Sequence, residues 1–169
     1  MSLRLFAAIA MPDDIIERLL ALQKGVPGAK WRPRENLHLT LRFLGSIDED
    51  LVDGIAVRLK KVAARHPPFE AKARGLGEFG GHVLWVGIDG GEPLVKMQKD
   101  VEATIVELGF AREERLFHPH ITVGRVKEFR AQMPVVDEAE QAIGVVRLQH
   151  GRQQRHGEGF QSILVVQHA

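Results

Sequence analysis

Two short segments of the chain share one pattern of reactive side chains. His38-Leu39-Thr40-Leu41 and His120-Ile121-Thr122-Val123 both read histidine, apolar, threonine, apolar, and their histidines lie about half of the 169-residue chain apart. Threonine is scarce here: it occurs only at 40, 104 and 122, and two of the three stand two residues after a histidine. In a β-strand, residues i and i+2 project from the same face. Each segment therefore points its histidine and threonine the same way, while Leu39, Leu41, Ile121 and Val123 anchor the strand in a core. Two such strands side by side would present two imidazoles and two hydroxyls to one cleft.

These groups suit the opening of a cyclic phosphodiester by in-line attack of water on phosphorus. One imidazole takes the proton of the water, and the other protonates the departing oxygen. An unperturbed histidine titrates at about 6.5, so both protonation states are accessible near neutrality. Each threonine hydroxyl can donate to a non-bridging phosphate oxygen, where negative charge must be held. The scheme requires no metal. A histidine pair could also begin a metal site, but two histidines alone are an incomplete set. The chain has no cysteine and no His-Glu-x-x-His helix to complete it. A single histidine in a strand is ordinarily structural; the matched repeat in a threonine-poor chain outweighs that reading.

The elements that must position these segments follow from local patterning. Leu3 to Ala10 is an apolar run that reads as a buried strand, not a signal peptide, because Pro12-Asp13-Asp14 follows in place of a small-residue cleavage site. Pro12 opens a helix whose apolar face is Ile15, Ile16, Leu19, Leu20 and Leu22, ended by Gly25, Pro27 and Gly28. Asn36 to Leu44 alternates as a half-buried strand, with Leu37, Leu39, Leu41 and Phe43 on one face and His38, Thr40 and Arg42 on the other; Gly45 is expected to stop it. A helix over 48–65 starts acidic and ends basic. Strands are expected over 69–74 and 82–88, a helix over 92–108, and strands over 121–126, 144–149 and 160–167. Residues 131–141 fit neither pattern. Several neighbouring strands are joined by turns too short for parallel crossovers, so the fold class is α+β with antiparallel sheets, and no linker divides the chain.

Composition sets the outer bounds. Hydrophobic residues make up 44% and charged residues 27%, the balance of a soluble globular domain. No stretch approaches the length of a membrane-spanning helix. The absence of cysteine removes disulfides and thiol nucleophiles and agrees with a cytoplasmic location. The formal net charge is only +1, so attraction to a polyanion must come from a local patch.

The sequence resembles the two-histidine phosphoesterases, in the branch of the RNA 2′,3′-cyclic phosphodiesterases or 2′-5′ RNA ligase-like proteins. The resemblance covers nearly the whole chain. It rests on Arg4-Leu5-Phe6-Ala7-Ala8-Ile9, on the run from Glu35 through His38-Leu39-Thr40-Leu41 to Gly45, and on Phe117-His118-Pro119-His120-Ile121-Thr122-Val123-Gly124-Arg125. It implies one domain over 1–169, built of two intertwined, pseudo-twofold-related lobes with helices outside and both motif strands lining a central cleft. It implies hydrolysis of a 2′,3′-cyclic phosphate at an RNA 3′ end to a 2′-phosphate, with a reverse reaction joining RNA ends through a 2′-5′ bond. In the family the first motif histidine is the proton donor and the second the acceptor, which maps onto His38 and His120. The expected partners are RNA ends carrying the cyclic phosphate, tRNA fragments among them, with no membrane, no cofactor, no metal and a monomeric chain.

Two further site residues come from the resemblance. Arg125 matches a phosphate-contacting arginine. Strict alternation from His120 puts Gly124 on the cleft face, so a bulge or strand end there must turn Arg125 inward; the alternative is a surface arginine. Phe6 matches an aromatic able to stack on a base, and a plain core phenylalanine is the alternative. Trp31 and Phe117 read as packing residues, and His118 as structural or supporting. The family pattern weakens over Gln149-His150-Gly151-Arg152-Gln153-Gln154-Arg155-His156. That basic stretch could follow an RNA backbone or be a solvated turn. Other substrates compatible with the same site are a small cyclic nucleotide, a 2′-5′ oligonucleotide or an ADP-ribose cyclic phosphate. A non-catalytic module binding phosphorylated RNA ends is the alternative of a different class.

Overall fold

The computed structural model describes residues 2–127 and, as backbone, the strands Gly144–Leu148 and Ile163–His168. In chain order the elements are β1 (Ser2–Ala10), α1 (Asp13–Leu22), β2 (Lys30–Trp31), β3 (His38–Asp48), α2 (Val52–Arg65), β4 (Phe69–Phe79), β5 (Val83–Asp89), α3 (Gly91–Glu107), β6 (His120–Arg125), β7 (Gly144–Leu148) and β8 (Ile163–His168). Single 3-10 turns, Arg34–Asn36 and Glu49–Leu51, precede β3 and α2. The expected order of strands and helices stands, with β2 added; two residues are too few to leave a periodic signal. The ambiguous stretch 131–141 and the basic stretch 149–156 lie outside the described residues.

The strands form one sheet in the order β7-β4-β5-β6-β3-β1-β8, with β2 also paired to β6. Every neighbouring pair is antiparallel. The architecture is α+β, as the short connections required. The helices are amphipathic and join the sheet in one hydrophobic cluster. Ile15 and Leu19 of α1, Ile55, Leu59 and Val62 of α2, and Leu94, Val101 and Ile105 of α3 meet Leu5, Ala7, Ile9, Leu39, Leu41 and Ile121 of the strands. Helix α1 begins where Pro12 fixes φ at −59° and its carbonyl accepts from the amides of Ile15 and Ile16; Asp13 and Asp14 then sit at the positive end of the dipole. No helix of the described residues is long and apolar enough to cross a membrane.

The strand carrying the first motif departs from strict alternation in two places. Gly45 does not end β3. It adopts φ +80° and pairs with Leu5, the next pair is Phe6 with Phe43, and the strand runs on to Asp48. Glycine tolerates that positive φ without a Cβ clash, so a bulge replaces the expected stop. Nearer the motif, Ala8 pairs with Thr40 and Ala7 with Arg42, which leaves Leu41 unpaired as a second bulge. This bulge inverts the faces beyond it. Phe43, expected in the core, is 51% exposed. Arg42, expected beside His38 and Thr40, turns to the helix side and bonds Glu102 of α3.

Candidate active site

The register of β3 against β6 builds the site. Leu39 pairs with Ile121 in an antiparallel ladder. One residue to either side, that register sets His38 opposite Thr122 and Thr40 opposite His120. A local two-fold axis through the Leu39–Ile121 pair thus exchanges one histidine-threonine pair with the other. The histidines are diagonal neighbours, a relation that sets residues about 7–8 Å apart with their Cβ atoms somewhat nearer, so that both imidazoles border one space of phosphoryl size. All four side chains are half-buried. Among the described residues neither threonine hydroxyl has a hydrogen-bond partner. β6 begins at His120, directly after Pro119, so His118 lies outside the strand; the Pro119 carbonyl accepts from the amide of Ile88 at 3.0 Å.

The second motif strand carries a bulge at the same place as the first. Trp85 pairs with Thr122 and Leu84 with Gly124, leaving Val123 unpaired. Alternation restarts out of phase, so Gly124 faces the core and Arg125, opposite Val83, returns to the face of His120 and Thr122. Phe43 and Arg125 are therefore equivalent positions, each five residues past its histidine and each turned by a bulge one residue past its threonine.

The two imidazoles are held differently. His38 lies flat on Phe6, with ring centroids 4.6 Å apart and an interplanar angle of 26°. Phe6 is 4% exposed and its ring backs the imidazole, which fits the core-phenylalanine reading of the sequence better than the stacking one. The open aromatic at this end is Phe43, whose ring centroid is 5.9 Å from that of Phe6. At the other end, Nδ1 of His120 lies 2.6 Å from the carbonyl oxygen of His118. A carbonyl can only accept, so Nδ1 carries the hydrogen and Nε2 is left with a free lone pair. Phe79 stands edge-on to the His120 ring at 4.9 Å, and Trp85 edge-on to His118 at 4.8 Å. Burial holds the pKa of His120 below its usual value; the His118 carbonyl acts in the opposite direction, and the charge of His118 adds to the lowering. Burial thus favours the neutral form of the His120 ring, and the backbone carbonyl of His118 orients it.

Strand β2 fixes the end of the cleft beyond Thr122. Lys30 pairs with Arg125 and Trp31 with Gly124. The amide of Arg32 donates to the carbonyl of Val123 at 2.9 Å. The Gln23 side-chain amide, at the end of α1, donates to the carbonyls of both Arg32 (2.7 Å) and Val123 (3.2 Å). Gly124 is required by this closeness: a Cβ there would fall 2.8 Å from Cε3 of Trp31. Trp31 and Phe117 are packing residues, both against the core cluster. Beside His38, a cavity of about 320 Å³ is lined by apolar side chains of β1 and α1 together with Arg34, Glu35 and Leu37. Arg34 is itself tied to Asp13 and Glu17.

Sequence reasoning missed Phe43, Phe79, Trp85 and Arg32 as neighbours of the site. The first depends on a bulge and the rest on cross-strand pairing. Only Arg32 left a signal, as the second cation of Lys30-Trp31-Arg32 just upstream of the first motif.

The family model for the 2′-5′ RNA ligase superfamily matches residues 11–152. The chain belongs to that superfamily. Among curated members, an RNA 2′,3′-cyclic phosphodiesterase of Thermotoga maritima is 37% identical over 121 residues, covering 69% of this chain and 63% of that protein. The chain thus spans a little under two thirds of that relative. Another, from Aeropyrum pernix, is 32% identical over 159 residues, covering 86% of this chain and 89% of that one. The crystal structure of E. coli LigT in its apo form superposes with a TM-score of 0.68 at 27% identity, over 79% of this chain and 77% of that chain. This superfamily member therefore shares the α+β two-histidine phosphoesterase fold inferred from its motifs.

Proposed function

We propose that the chain hydrolyses RNA 2′,3′-cyclic phosphate ends to 2′-phosphates, using two histidines as acid and base. The observation that carries this reading is the Leu39–Ile121 register, which sets two histidine-threonine pairs about one local axis. Nε2 of neutral His120 takes a proton from water as its oxygen attacks phosphorus. The bond from phosphorus to the 3′ oxygen breaks, and protonated His38 gives that oxygen its proton. Thr40 and Thr122 donate to the non-bridging oxygens, and Arg125 adds positive charge from the same face. The products are a 2′-phosphate and a 3′ hydroxyl, and a proton exchange with solvent resets the histidines. With a 5′ hydroxyl in place of the attacking water, the same in-line displacement forms a 2′-5′ phosphodiester and frees the 3′ hydroxyl. The names of the relatives support this substrate class.

Within this reading the partner is an RNA 3′ end with a cyclic phosphate, tRNA fragments included. One chain supplies both histidines and both threonines, so a monomer suffices. We further read the chain as one domain of two intertwined lobes related by the local axis. A cytoplasmic location agrees with its cysteine-free composition.

The test is incubation with a short RNA ending in a 2′,3′-cyclic phosphate, in the presence of EDTA, with the product identified by phosphorus NMR. A 2′-phosphate is expected, and His38→Ala or His120→Ala should lower the rate by about 10²–10⁴-fold while RNA binding stays measurable. Full turnover in either variant would remove the assignment.

A further inference from the structure

The end of the cleft past Thr122 carries positive charge that nothing in the described structure neutralises. Lys30 pairs across from Arg125, so the two share a face, and alternation puts Arg32 on that face while Trp31 turns to the core. Arg32 is half-buried, and its backbone is anchored on both sides, to Val123 and to Gln23. Burial, and after it the charge of Arg125, hold the Arg32 pKa below its ordinary value. Among the described residues no carboxylate pairs with Lys30, Arg32 or Arg125, whereas Arg34, Arg42, Arg74 and Arg115 each have one. Two neighbouring guanidiniums, one of them half out of water, call for an anion, and the planar fork of arginine suits phosphate. The cyclic phosphate between the histidines supplies one such anion. An RNA strand brings another, the backbone phosphodiester next to its terminal nucleotide.

We propose that Arg32, with Lys30 beside it, grips the backbone phosphate adjoining the cyclic end and so makes this chain favour polynucleotide ends over cyclic mononucleotides. The inference rests on the reaction proposed above.

The experiment compares the full chain with its Arg32→Ala and Arg32→Lys variants on two substrates. One is a short RNA ending in a 2′,3′-cyclic phosphate; the other is a nucleoside 2′,3′-cyclic monophosphate. The ratio of kcat/KM for RNA to that for the mononucleotide is expected to fall about tenfold in Arg32→Ala, the size of one charge-assisted contact. Arg32→Lys should recover part of it, since a point charge replaces the fork. In parallel, the Kd of an RNA already ending in a 2′-phosphate is measured against salt. The slope of log Kd on log salt should become shallower by about 0.7, the value for one single-strand phosphate. An unchanged ratio with an unchanged slope overturns the proposal. An equal loss on both substrates also overturns it, by assigning Arg32 to the scissile phosphate. Should the wild type turn over neither substrate, the proposed reaction fails, and the salt slope still decides the role of Arg32.

Discussion

Replacing Gly77 by alanine perturbs His120 at one remove. Gly77 on β4 pairs with Trp85 on β5, which in turn pairs with Thr122 on β6. The indole lies directly over Gly77: a Cβ there would fall 2.6 Å from Cε2 and closer still to Cζ2 and Cη2. Ordinary contact begins at 3.4 Å, so the indole must retreat by about 1 Å or β4 must shift. Gly77 is not among the glycines with positive φ, so alanine meets no backbone strain, and its stiffer unfolded chain returns about 0.4–1 kcal/mol. Overpacking costs about 1–3 kcal/mol, which leaves a net loss of about 1–2 kcal/mol. For a domain of this size, each kcal/mol lowers Tm by about 2–4 °C. The rate should suffer more than the stability. Trp85 stands edge-on to His118, whose carbonyl fixes the His120 ring, and a 1 Å misplacement of a reacting group can cost about 100-fold. Acting through one intermediate residue, the substitution should lower kcat/KM by about tenfold or more. The assay pairs a thermal melt with kcat/KM on cyclic-phosphate RNA, for Gly77→Ala alone and combined with Trp85→Leu. The shorter leucine removes the clash, so the double variant should lose less stability than the two single losses together. A Gly77→Ala protein with wild-type Tm and wild-type kcat/KM would refute the reasoning.

The pH dependence of kcat/KM tests the state of His120. As the proposed base it must be neutral, and burial holds its pKa below 6.5, so activity should persist as pH falls through 6.5 and its acid limb should have a midpoint below that value. An acid-limb midpoint at or above 6.5 would contradict that burial effect. The hydroxyls are tested by Thr40→Val and Thr122→Val, each expected to lower kcat by about 10²–10³-fold as the loss of one oxyanion donor, with little change in Tm. A loss confined to KM would mean that the hydroxyl binds substrate and transition state alike.

Much of the chemistry was determined by the sequence alone. The period of two that places His38 with Thr40, and His120 with Thr122, is a property of extended backbone, whatever strand lies beside it. The helix faces of Ile15-Leu19, Ile55-Leu59 and Val101-Ile105 are equally local, since their spacing fixes which residues share a stripe. Tertiary structure decided the rest, because the rest depends on partners distant in the chain. Register between β3 and β6 joins residues from opposite halves of the sequence. The bulges at Leu41 and Val123 exist only relative to β1 and β5, yet they exchange Arg42 for Phe43 on the cleft face and bring Arg125 onto it. Phe6 reads the same in sequence whether it backs His38 or faces a ligand, and its burial follows from the strands packed on either side of β1. A bulge adds one residue to one strand and leaves no mark in composition or period, so the faces beyond it are legible only once the neighbouring strand is in place.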